Sequence, residues 1–353
     1  MRILHTYCMN YNLGDHALGI GVKNILRQCL PVDYIAETNL QGQVFNEYYI
    51  NVLNKNYDLL VIGGGGIIHG AHWPNGWFWL IEKNDIKKIN IPFIVYGAGY
   101  NYFKNEGEIP KRAIDHLLET KSRARFFSVR NDGSHDRLQE NTGIDAEVIA
   151  DPGFWVGINR RYSRPIRDKY IVVQLANDKP LHRFGSAERK QEFVEKIRRI
   201  IEQLAGRYRV VMAPHVYQDL ELCAEAMKGM KGAEIWQFSR YAFDRTHECL
   251  GYYKHAEFVL AMRGHGQIVP LGFGVPVISL ENHDKNIGMM KDMNLAQYNL
   301  NIFDEDLVEK TLRLANYMDG NTELRKVIAH RIHELYIDTK LKFVALGGQL
   351  NNV

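Results

Sequence analysis

The sequence alternates short apolar runs with amphipathic stretches along almost its whole length, and this alternation restricts the fold more than any other feature. The runs are bounded by Gly, Asp, Asn or Pro and fall at residues 3–7, 59–62, 93–96, 126–129, 148–150, 170–175, 209–213, 258–262 and 275–280. Continuous apolar runs of this kind are typical of parallel strands covered on both faces. Residues 189–204 show the intervening pattern, with apolar side chains at helical spacing. The alternation predicts an α/β protein with parallel sheets.

A polar, basic segment at residues 157–169 interrupts this alternation, directly after the turn signal Asp151-Pro152-Gly153. The 353 residues are enough for about two domains of ~150 residues each. We therefore expect two α/β domains that face each other across a cleft, an N-terminal one over residues 1–157 and a C-terminal one over residues 158–306. Residues 307–353 have a helical pattern. This helical segment could pack back on the N-terminal domain.

Composition excludes several classes of protein. Hydrophobic residues make up 46% of the chain and charged residues 24%, which predicts folded cores rather than disorder. A net charge of +3 without a clustered basic stripe argues against nucleic-acid binding, while it leaves room for a local cationic pocket that binds a small anion. The four cysteines form no CxxC pair, so we expect no disulfide framework and no metal site.

The sequence also gives expectations about location. No apolar stretch approaches the ~20 residues that span a bilayer, and the first residues read as a strand rather than a signal peptide. Few, scattered cysteines are typical of proteins whose thiols stay reduced. We expect a cytoplasmic protein. The sequence leaves open whether it makes peripheral contact with the inner face of the membrane. It also leaves the oligomeric state open.

Two loops that follow predicted strands of the N-terminal half carry candidate ligand-binding residues. Asn12 and Asp15 flank Gly14 after the first strand, where Asp15 could cap the next helix; the alternative is that both only shape a turn. Four glycines at residues 63–66, among them Gly64 and Gly65, follow the second predicted strand and are called the glycine loop below. Their backbone N–H groups could bind an anion, although neither a dinucleotide fingerprint nor a Walker A loop is present.

Two further segments of this half bear on ligand binding. The sequence AHWPNGWFW at residues 71–79 is dense in aromatic residues, and His72 and Trp73 are candidates for contacts to a sugar. The alternative is that residues 77–79 begin a buried helix, since large aromatic side chains most often supply core area. Arg130 ends a predicted strand, where it could bind an anion or pair with Asp151 or Asp15.

The strongest motif lies in the C-terminal half, where Arg263-Gly264-His265 joins a strand end to a short helix. A helix N-terminus already favours anions, and Arg263 adds a cation there. His265 is a candidate proton donor or acceptor near neutral pH, against the alternative of a buried, hydrogen-bonded histidine. Lys285 follows the next strand and could converge on the same site.

In this order along the chain, the motifs resemble those of the polysaccharide pyruvyl transferase family. The resemblance covers about residues 1–291 and rests on Asn-x-Gly-Asp, the glycine loop, Tyr-Gly-Ala-Gly at 96–99, Ser-Val-Arg-Asn at 128–131, Asp-Pro-Gly at 151–153, Arg-x-His at 263–265 and Lys285. It implies a GT-B-like fold of two Rossmann-like domains. It also implies a transferase that moves the pyruvyl group of phosphoenolpyruvate onto a sugar as a ketal, in the synthesis of cell-surface polysaccharides, with no metal or cofactor.

The resemblance assigns roles to the candidate residues. His265 would be the general acid and Asp15 the base that deprotonates the acceptor. The donor-binding set would be Arg263, Lys285, Arg130, Gly64 and Gly65. The acceptor, a sugar or glycan that is lipid-linked, nucleotide-linked or polymeric, would bind to Asn12, His72, Trp73 and Asn101.

The sequence departs from the family pattern at two places, and it is also compatible with two other functions. Gly264 stands where the family usually has an apolar residue, and His69 and Gly70 stand where it often has an acid. A GT-B glycosyltransferase with a nucleotide-sugar donor is the first alternative, but Val269 occupies the position, five residues before Gly274, of the usual ribose-binding Glu. A non-catalytic protein that binds anions or glycans on the same fold is the second.

Overall fold

The computed structural model describes residues 1–69, 73, 75–101, 109–230, 233–235, 245–281 and 284–350, which fall into two compact units. Unit 1 comprises Met1–Asn10, Leu18–Ile158 and Leu335–Val353, and unit 2 comprises Tyr11–Ala17 and Asn159–Glu334. The main division lies after Ile158, next to the expected one after residue 157. The expected C-terminal segment 307–353 is divided between the units after Glu334. That each unit folds as a domain of its own stays a prediction.

Unit 1 contains a six-stranded sheet in the order β2-β1-β3-β4-β5-β6. The strands are β1 (Arg2–Tyr7), β2 (Tyr34–Asn39), β3 (Leu59–Gly63), β4 (Phe93–Ala98), β5 (Phe126–Arg130) and β6 (Glu147–Ile149). Neighbouring strands are parallel throughout the sheet. The chain order reverses between β1 and β3, and ligands of open α/β sheets bind at the carboxyl ends of strands at such a point. The glycine loop follows β3 there.

The helices of this half are α1 (Leu13–Cys29), α2 (Glu47–Asn56), α3 (Lys111–Arg123) and α4 (Ser134–Thr142), with 3₁₀ segments at Lys83–Lys88 and Pro152–Gly157. The first five residues of α1 belong to unit 2 and the remainder to unit 1. Trp77 and Trp79 are fully buried in the core. They lie outside any helix, because Trp77 bridges to Ile68 in extended conformation, so the alternative of a helix beginning there is wrong.

Unit 2 contains a second six-stranded sheet, in the order β12-β11-β10-β7-β8-β9, and its strand pairs are also parallel. The strands are β7 (Tyr170–Gln174), β8 (Arg209–Met212), β9 (Ala233–Ile235), β10 (Val259–Ala261), β11 (Val277–Glu281) and β12 (Asn299–Asn301). Numbered within the unit, this is the doubly wound order 6-5-4-1-2-3 of Rossmann folds. Its switch point lies between β10 and β7.

The remaining helices are α5 (Pro180–Phe184), α6 (Ala187–Ala205), α7 (Asp219–Met227), α8 (Thr246–His255), α9 (Gly264–Gly272), α10 (Asp284–Asp292), α11 (Leu307–Met318) and α12 (Thr322–Leu350), with a 3₁₀ turn at Ala296–Tyr298. The expected helix at 189–204 is α6, which begins where the Ser186 hydroxyl accepts the Arg189 N–H. From Leu335 onward, α12 belongs to unit 1. In the described part of the chain, no helix is both long and apolar enough to cross a membrane.

All nine predicted apolar runs are strands, while β2, β9 and β12 were not predicted. These three strands lie at sheet edges. An edge strand has one unpaired side and needs less apolar sequence than a central strand. The sequence Tyr-Ile-Ala-Glu-Thr-Asn of β2 therefore lacks the continuous apolar run that marks the buried strands.

Candidate active site

Arg263 lies at the switch point of the unit 2 sheet, two residues after β10, as the N-cap residue of α9. Its backbone N–H donates to Oε1 of Gln174 at 2.8 Å, which ties it to the end of β7. The guanidinium donates to both carboxylate oxygens of Asp219, from Nε at 2.8 Å and from Nη2 at 2.7 Å. Nη2 also contacts Oδ1 of Asp178 at 2.5 Å. The expected anion-binding arginine is therefore held by two carboxylates of the protein.

Asp219 is a buried junction of three strand ends that the sequence interpretation missed. Its side chain is fully buried, and besides Arg263 it accepts the backbone N–H groups of Asn177 (2.9 Å), His215 (3.1 Å) and Val216 (3.3 Å). One carboxylate thus joins the loops that follow β7 and β8 to the residue that caps α9. Its sequence signal was an Asp at a helix start after a strand, the same signal that singled out Asp15.

Asp178 lies among cations. Its Oδ1 accepts from Nη2 of Arg183 at 2.8 Å as well as from Arg263, and Lys285 adds a further positive field. Burial alone would raise the pKa of Asp178, but Arg263, Arg183 and Lys285 outweigh it and hold that pKa well below its usual value. Arg183 is buried in α5, and the sequence did not single it out because it lies outside any strand-end motif. Arg263 and Lys285, the two cations that the sequence singled out, therefore both act on the carboxylate of Asp178.

His215 is a second histidine of this edge, buried and hydrogen-bonded to the Tyr253 hydroxyl at 2.6 Å from its Nε2. Burial lowers its pKa well below the usual range, and the charges of Arg263 and His265 lower it further. The ring is therefore neutral at ordinary pH, which limits the positive charge crowded around Arg263. It was not predicted, since His215 stands in no motif.

His265 lies in the first turn of α9, half-buried, with Gly14 against its ring. A Cβ placed on Gly14 would lie 2.7 Å from Cγ and 2.8 Å from Cβ of His265, closer than real Cβ atoms come. The same segment is anchored by the Leu13 N–H, which donates to the His215 carbonyl at 3.3 Å. The Asn-x-Gly-Asp motif and His265 therefore form one cluster within unit 2.

Asn12, not Asp15, caps α1. The Asn12 side-chain oxygen accepts the Gly14 N–H at 2.9 Å, and its carbonyl accepts the Asp15 N–H at 3.0 Å. Asp15 lies half-buried in the first turn of the helix. The expectation of an Asp15 cap is wrong because Asn12 is already placed one residue before the helix begins. Asp15 instead lies next to Gly14, on the segment that faces His265.

In the glycine loop of unit 1, Gly64 and Gly65 adopt backbone conformations that other residues rarely adopt. Gly64 and Gly65 have φ of 80° and 89°, and Gly64 donates its N–H to the Tyr96 carbonyl at 2.7 Å. Gly65 accepts the Gly99 N–H at 2.7 Å through its carbonyl. The expected anion-binding role of the Gly64 amide conflicts with this bond, because that N–H is already satisfied inside the unit.

Arg130 forms a buried ion-pair network in unit 1. Nε donates to Asp132 at 2.6 Å and Nη1 to Asp151 at 3.4 Å. Burial opposes the charge of the guanidinium, but the two carboxylates outweigh it and raise the pKa of Arg130. With 4% of its surface exposed, Arg130 corresponds to the structural alternative, a pair with Asp151, rather than to an open anion site.

Trp73 and Asn101 are linked through two residues that the sequence interpretation did not select. The Trp73 ring packs edge-on against Phe78 with centroids 4.6 Å apart, and Phe78 stacks on His69 at 4.3 Å. Nε2 of His69 lies 3.5 Å from Nδ2 of Asn101. Trp73 and Asn101 are both half-buried. His72, the other expected acceptor residue here, lies outside the described residues.

The comparison with family models decides what kind of protein this is. The model of the polysaccharide pyruvyl transferases matches residues 12–284, which is most of the chain. The chain belongs to this family. It is therefore a transferase enzyme of polysaccharide biosynthesis, as the motifs indicated. The matched span contains every predicted site residue except Lys285, which follows it directly. No curated protein matches the sequence.

Solved structures similar to this polysaccharide pyruvyl transferase include two epimerases. UDP-GlcNAc 2-epimerase from Neisseria meningitidis, bound to UDP-GlcNAc, aligns with a TM-score of 0.55 and 12% identity over 97% of this chain and 100% of that chain. The Methanocaldococcus jannaschii enzyme, in complex with UDP-GlcNAc and UDP, aligns with a TM-score of 0.54 and 15% identity over 95% and 100%. At such identities the likeness concerns the fold alone, and it confirms the α/β, GT-B-like fold class.

Proposed function

We propose that this polysaccharide pyruvyl transferase uses phosphoenolpyruvate as donor and joins its pyruvyl group to two hydroxyls of a sugar. The observation that carries the proposal is the convergence of His265 with Arg183, Arg263 and Lys285 at one edge of the unit 2 sheet. The donor carries a phosphate and a carboxylate, and clustered guanidinium and ammonium groups are the partners that such an anion needs. The N-terminus of α9 adds backbone N–H groups at the same place.

The reaction consists of an addition at C2 of the donor, followed by a substitution at the same carbon in which phosphate leaves. His265, as imidazolium, donates a proton to the methylene carbon C3 while the first sugar hydroxyl attacks C2 and gives up its proton. The second hydroxyl of the same sugar then attacks C2, the bond from C2 to the phosphate oxygen breaks with its electron pair on phosphate, and phosphate takes up the second proton. The products are a methyl-bearing ketal and inorganic phosphate, without any change in oxidation state and without a need for a metal or cofactor.

The two catalytic roles fall to residues of one cluster. His265 lies half-buried beside Gly14, and histidine is the side chain that most often serves as a general acid or base in enzymes. Asp15, one residue after Gly14, is the proposed base for the acceptor hydroxyl. Its place in the first turn of α1 favours the ionised carboxylate, which is the form that accepts a proton.

The cations divide into a framework and a binding set. Arg263 keeps the site together through Asp219 and supplies positive field, whereas Arg183 and Lys285 complete the charge that attracts the donor. Arg130 and Gly64, expected to bind the donor, are left out of this proposed set, because Arg130 pairs with Asp132 and Asp151 and the Gly64 N–H donates to the Tyr96 carbonyl.

Trp73 and Asn101 are the proposed acceptor residues of unit 1, together with Phe78 and His69. An aromatic face next to amide and imidazole groups suits a sugar, whose ring has apolar faces and a hydroxyl rim. Asn12 is less suited to the same task, because its side-chain oxygen is used as the cap of α1.

A nucleotide-sugar donor is the second candidate. The observation that favours it is the fold shared with epimerases whose structures hold UDP-GlcNAc or UDP. Against it, the position expected for a ribose-binding carboxylate is Val269, which is buried within α9. A nucleotide-linked sugar as acceptor is compatible with both observations.

A donor screen separates the two candidates. Purified protein is incubated with a panel of glycosides and either phosphoenolpyruvate or UDP-sugars, and the products are analysed by mass spectrometry. We expect an acceptor that gains the mass of pyruvate less water, only with phosphoenolpyruvate. Phosphoenolpyruvate at ~100 times its Kd should also stabilise the fold by about 2.7 kcal/mol. Glycosyl transfer from a UDP-sugar, with no product from phosphoenolpyruvate, would contradict the proposal.

A further inference from the structure

The two carboxylates that bind Arg263 differ in their surroundings. Asp219 is fully buried and accepts three backbone N–H groups in addition to the guanidinium. The side chain of Asp178 is 36% exposed, and its Oδ1 is shared by Arg263 and Arg183. Asp219 is therefore part of the framework, while Asp178 lies at the solvent side of the cationic cluster.

We propose that Asp178 is a resident counter-ion of the donor site, which competes with the anionic group of the donor for Arg183 and Arg263. In the empty site its carboxylate keeps both guanidiniums in place. When phosphate leaves after the reaction, Asp178 pairs with them again and eases the release. This inference rests on the proposed function, because it takes the cationic cluster as the donor's anion site.

The electrostatics favour this role over that of a base. The three cations Arg263, Arg183 and Lys285 keep Asp178 ionised and its pKa well below the usual value, although burial acts the other way. A carboxylate of low pKa accepts a proton weakly, so it is a poor base for a sugar hydroxyl. Its charge, in contrast, acts on any anion that approaches the same cations, and like charges a few Å apart at a half-buried site change affinity by about tenfold or more.

The test is Asp178→Asn, which removes the charge and keeps a side-chain oxygen that accepts from both arginines. The matched control is Asp304→Asn in the same unit, since Asp304 is 35% exposed and accepts from Lys310 at 2.8 Å. Calorimetry measures the Kd of phosphoenolpyruvate and of inorganic phosphate at low and high salt. We expect Asp178→Asn to bind both about tenfold more tightly at low salt, with a smaller gain at high salt, and to show stronger product inhibition by phosphate. Asp304→Asn should match the wild type.

A second variant separates charge from structure. Asp178→Glu restores the charge, so its affinities should return toward wild-type values; tight binding by this variant would overturn the inference. So would equal or weaker binding of phosphoenolpyruvate by Asp178→Asn while the wild type binds it, and that result would leave the proposed function intact. A wild-type protein that binds neither phosphoenolpyruvate nor phosphate would instead contradict the proposed function.

Discussion

Gly14 and His265 lie against each other although 250 residues separate them in the chain, so that no side chain fits on Gly14 without moving the imidazole. The Gly14 backbone is fixed from the other side by the Asn12 cap and by the bond from Leu13 to the His215 carbonyl. The glycine of the Asn-x-Gly-Asp motif is thus needed for a close approach to the proposed acid. The motif acts by placing backbone beside His265.

Gly14→Ala should therefore impair catalysis more than folding. The added methyl group overlaps the His265 ring, and a displacement of about 1 Å at a reacting group costs on the order of 10² in rate. Single-turnover rates and thermal melting are measured on the same preparation. Gly348→Ala is the control, because the added Cβ meets open space in α12. A Gly14→Ala enzyme with normal turnover would show that the contact does not position His265.

The central strands and the Arg263–His265 motif were predictable because each leaves a local signal in the sequence. A strand buried on both faces needs a continuous apolar run, and β7 or β10 supplies one. Asp178 and Asp219 were not predictable, because their role comes from pairing with Arg263, and Arg183 was not predictable because it pairs with Asp178. Arg263 is 44 residues from Asp219 and 85 from Asp178 along the chain, and spacing alone does not indicate such pairs.

The roles of Asn12 and Arg130 could not be predicted from the sequence either, although some of their partners are close in the chain. Whether Asn12 or Asp15 caps α1 depends on the residue at which the helix begins, and sequence patterns place helix boundaries only approximately. Arg130 at a strand end is compatible with an anion site or with an ion pair. Only the fold brings Asp132 and Asp151 to its guanidinium and decides between the two.

Asp219→Ala should destabilise unit 2 strongly. The substitution leaves the Arg263 guanidinium without its bidentate partner and three backbone N–H groups without an acceptor, and breaking a buried pair costs about 3–5 kcal/mol. Urea unfolding measures the loss. Asp306→Ala, which removes an exposed partner of Lys310, should cost less than about 1 kcal/mol. Equal stabilities of the two variants would contradict the framework role.

Arg130→Met should destabilise the protein and leave the donor site intact. The substitution removes the guanidinium that pairs with the buried carboxylates of Asp132 and Asp151, and breaking a buried ion pair costs about 3–5 kcal/mol, which urea unfolding measures. The Kd of phosphoenolpyruvate for the folded variant should equal the wild-type value. A selective loss of donor affinity without loss of stability would return Arg130 to the donor-binding set.

Stability should fall as the pH drops below about 6.5. Burial lowers the pKa of His5 to about 4 and also lowers those of His116 and His215. The unfolded chain binds more protons than the folded one between pH 6.5 and these lower values, so the stability is present above pH 6.5 and is lost as the pH falls. Each histidine contributes a slope of up to about 1.4 kcal/mol per pH unit within its window.

Urea unfolding at several pH values between about 7 and 5 measures this slope. His116→Gln should reduce it, whereas His330→Gln should leave it unchanged, since His330 is 77% exposed. The reason for His116 is specific: Nδ1 accepts the Trp77 indole N–H at 3.1 Å and cannot do so when protonated. A free energy of unfolding that stays constant over this range would show that the buried histidines do not control acid stability.

The most direct measurement compares wild type and His265→Asn in a single turnover with saturating phosphoenolpyruvate and a sugar acceptor, together with the melting temperature and the donor Kd of each. We expect the wild type to form ketal and phosphate in equal amounts. His265→Asn should melt near the wild-type temperature and bind the donor with similar affinity, because Arg183, Arg263 and Lys285 remain, while turnover falls by about 10²–10⁴. A destabilised variant with near-normal turnover would remove His265 from the mechanism, and a wild type that releases phosphate without forming a ketal would contradict the reaction itself.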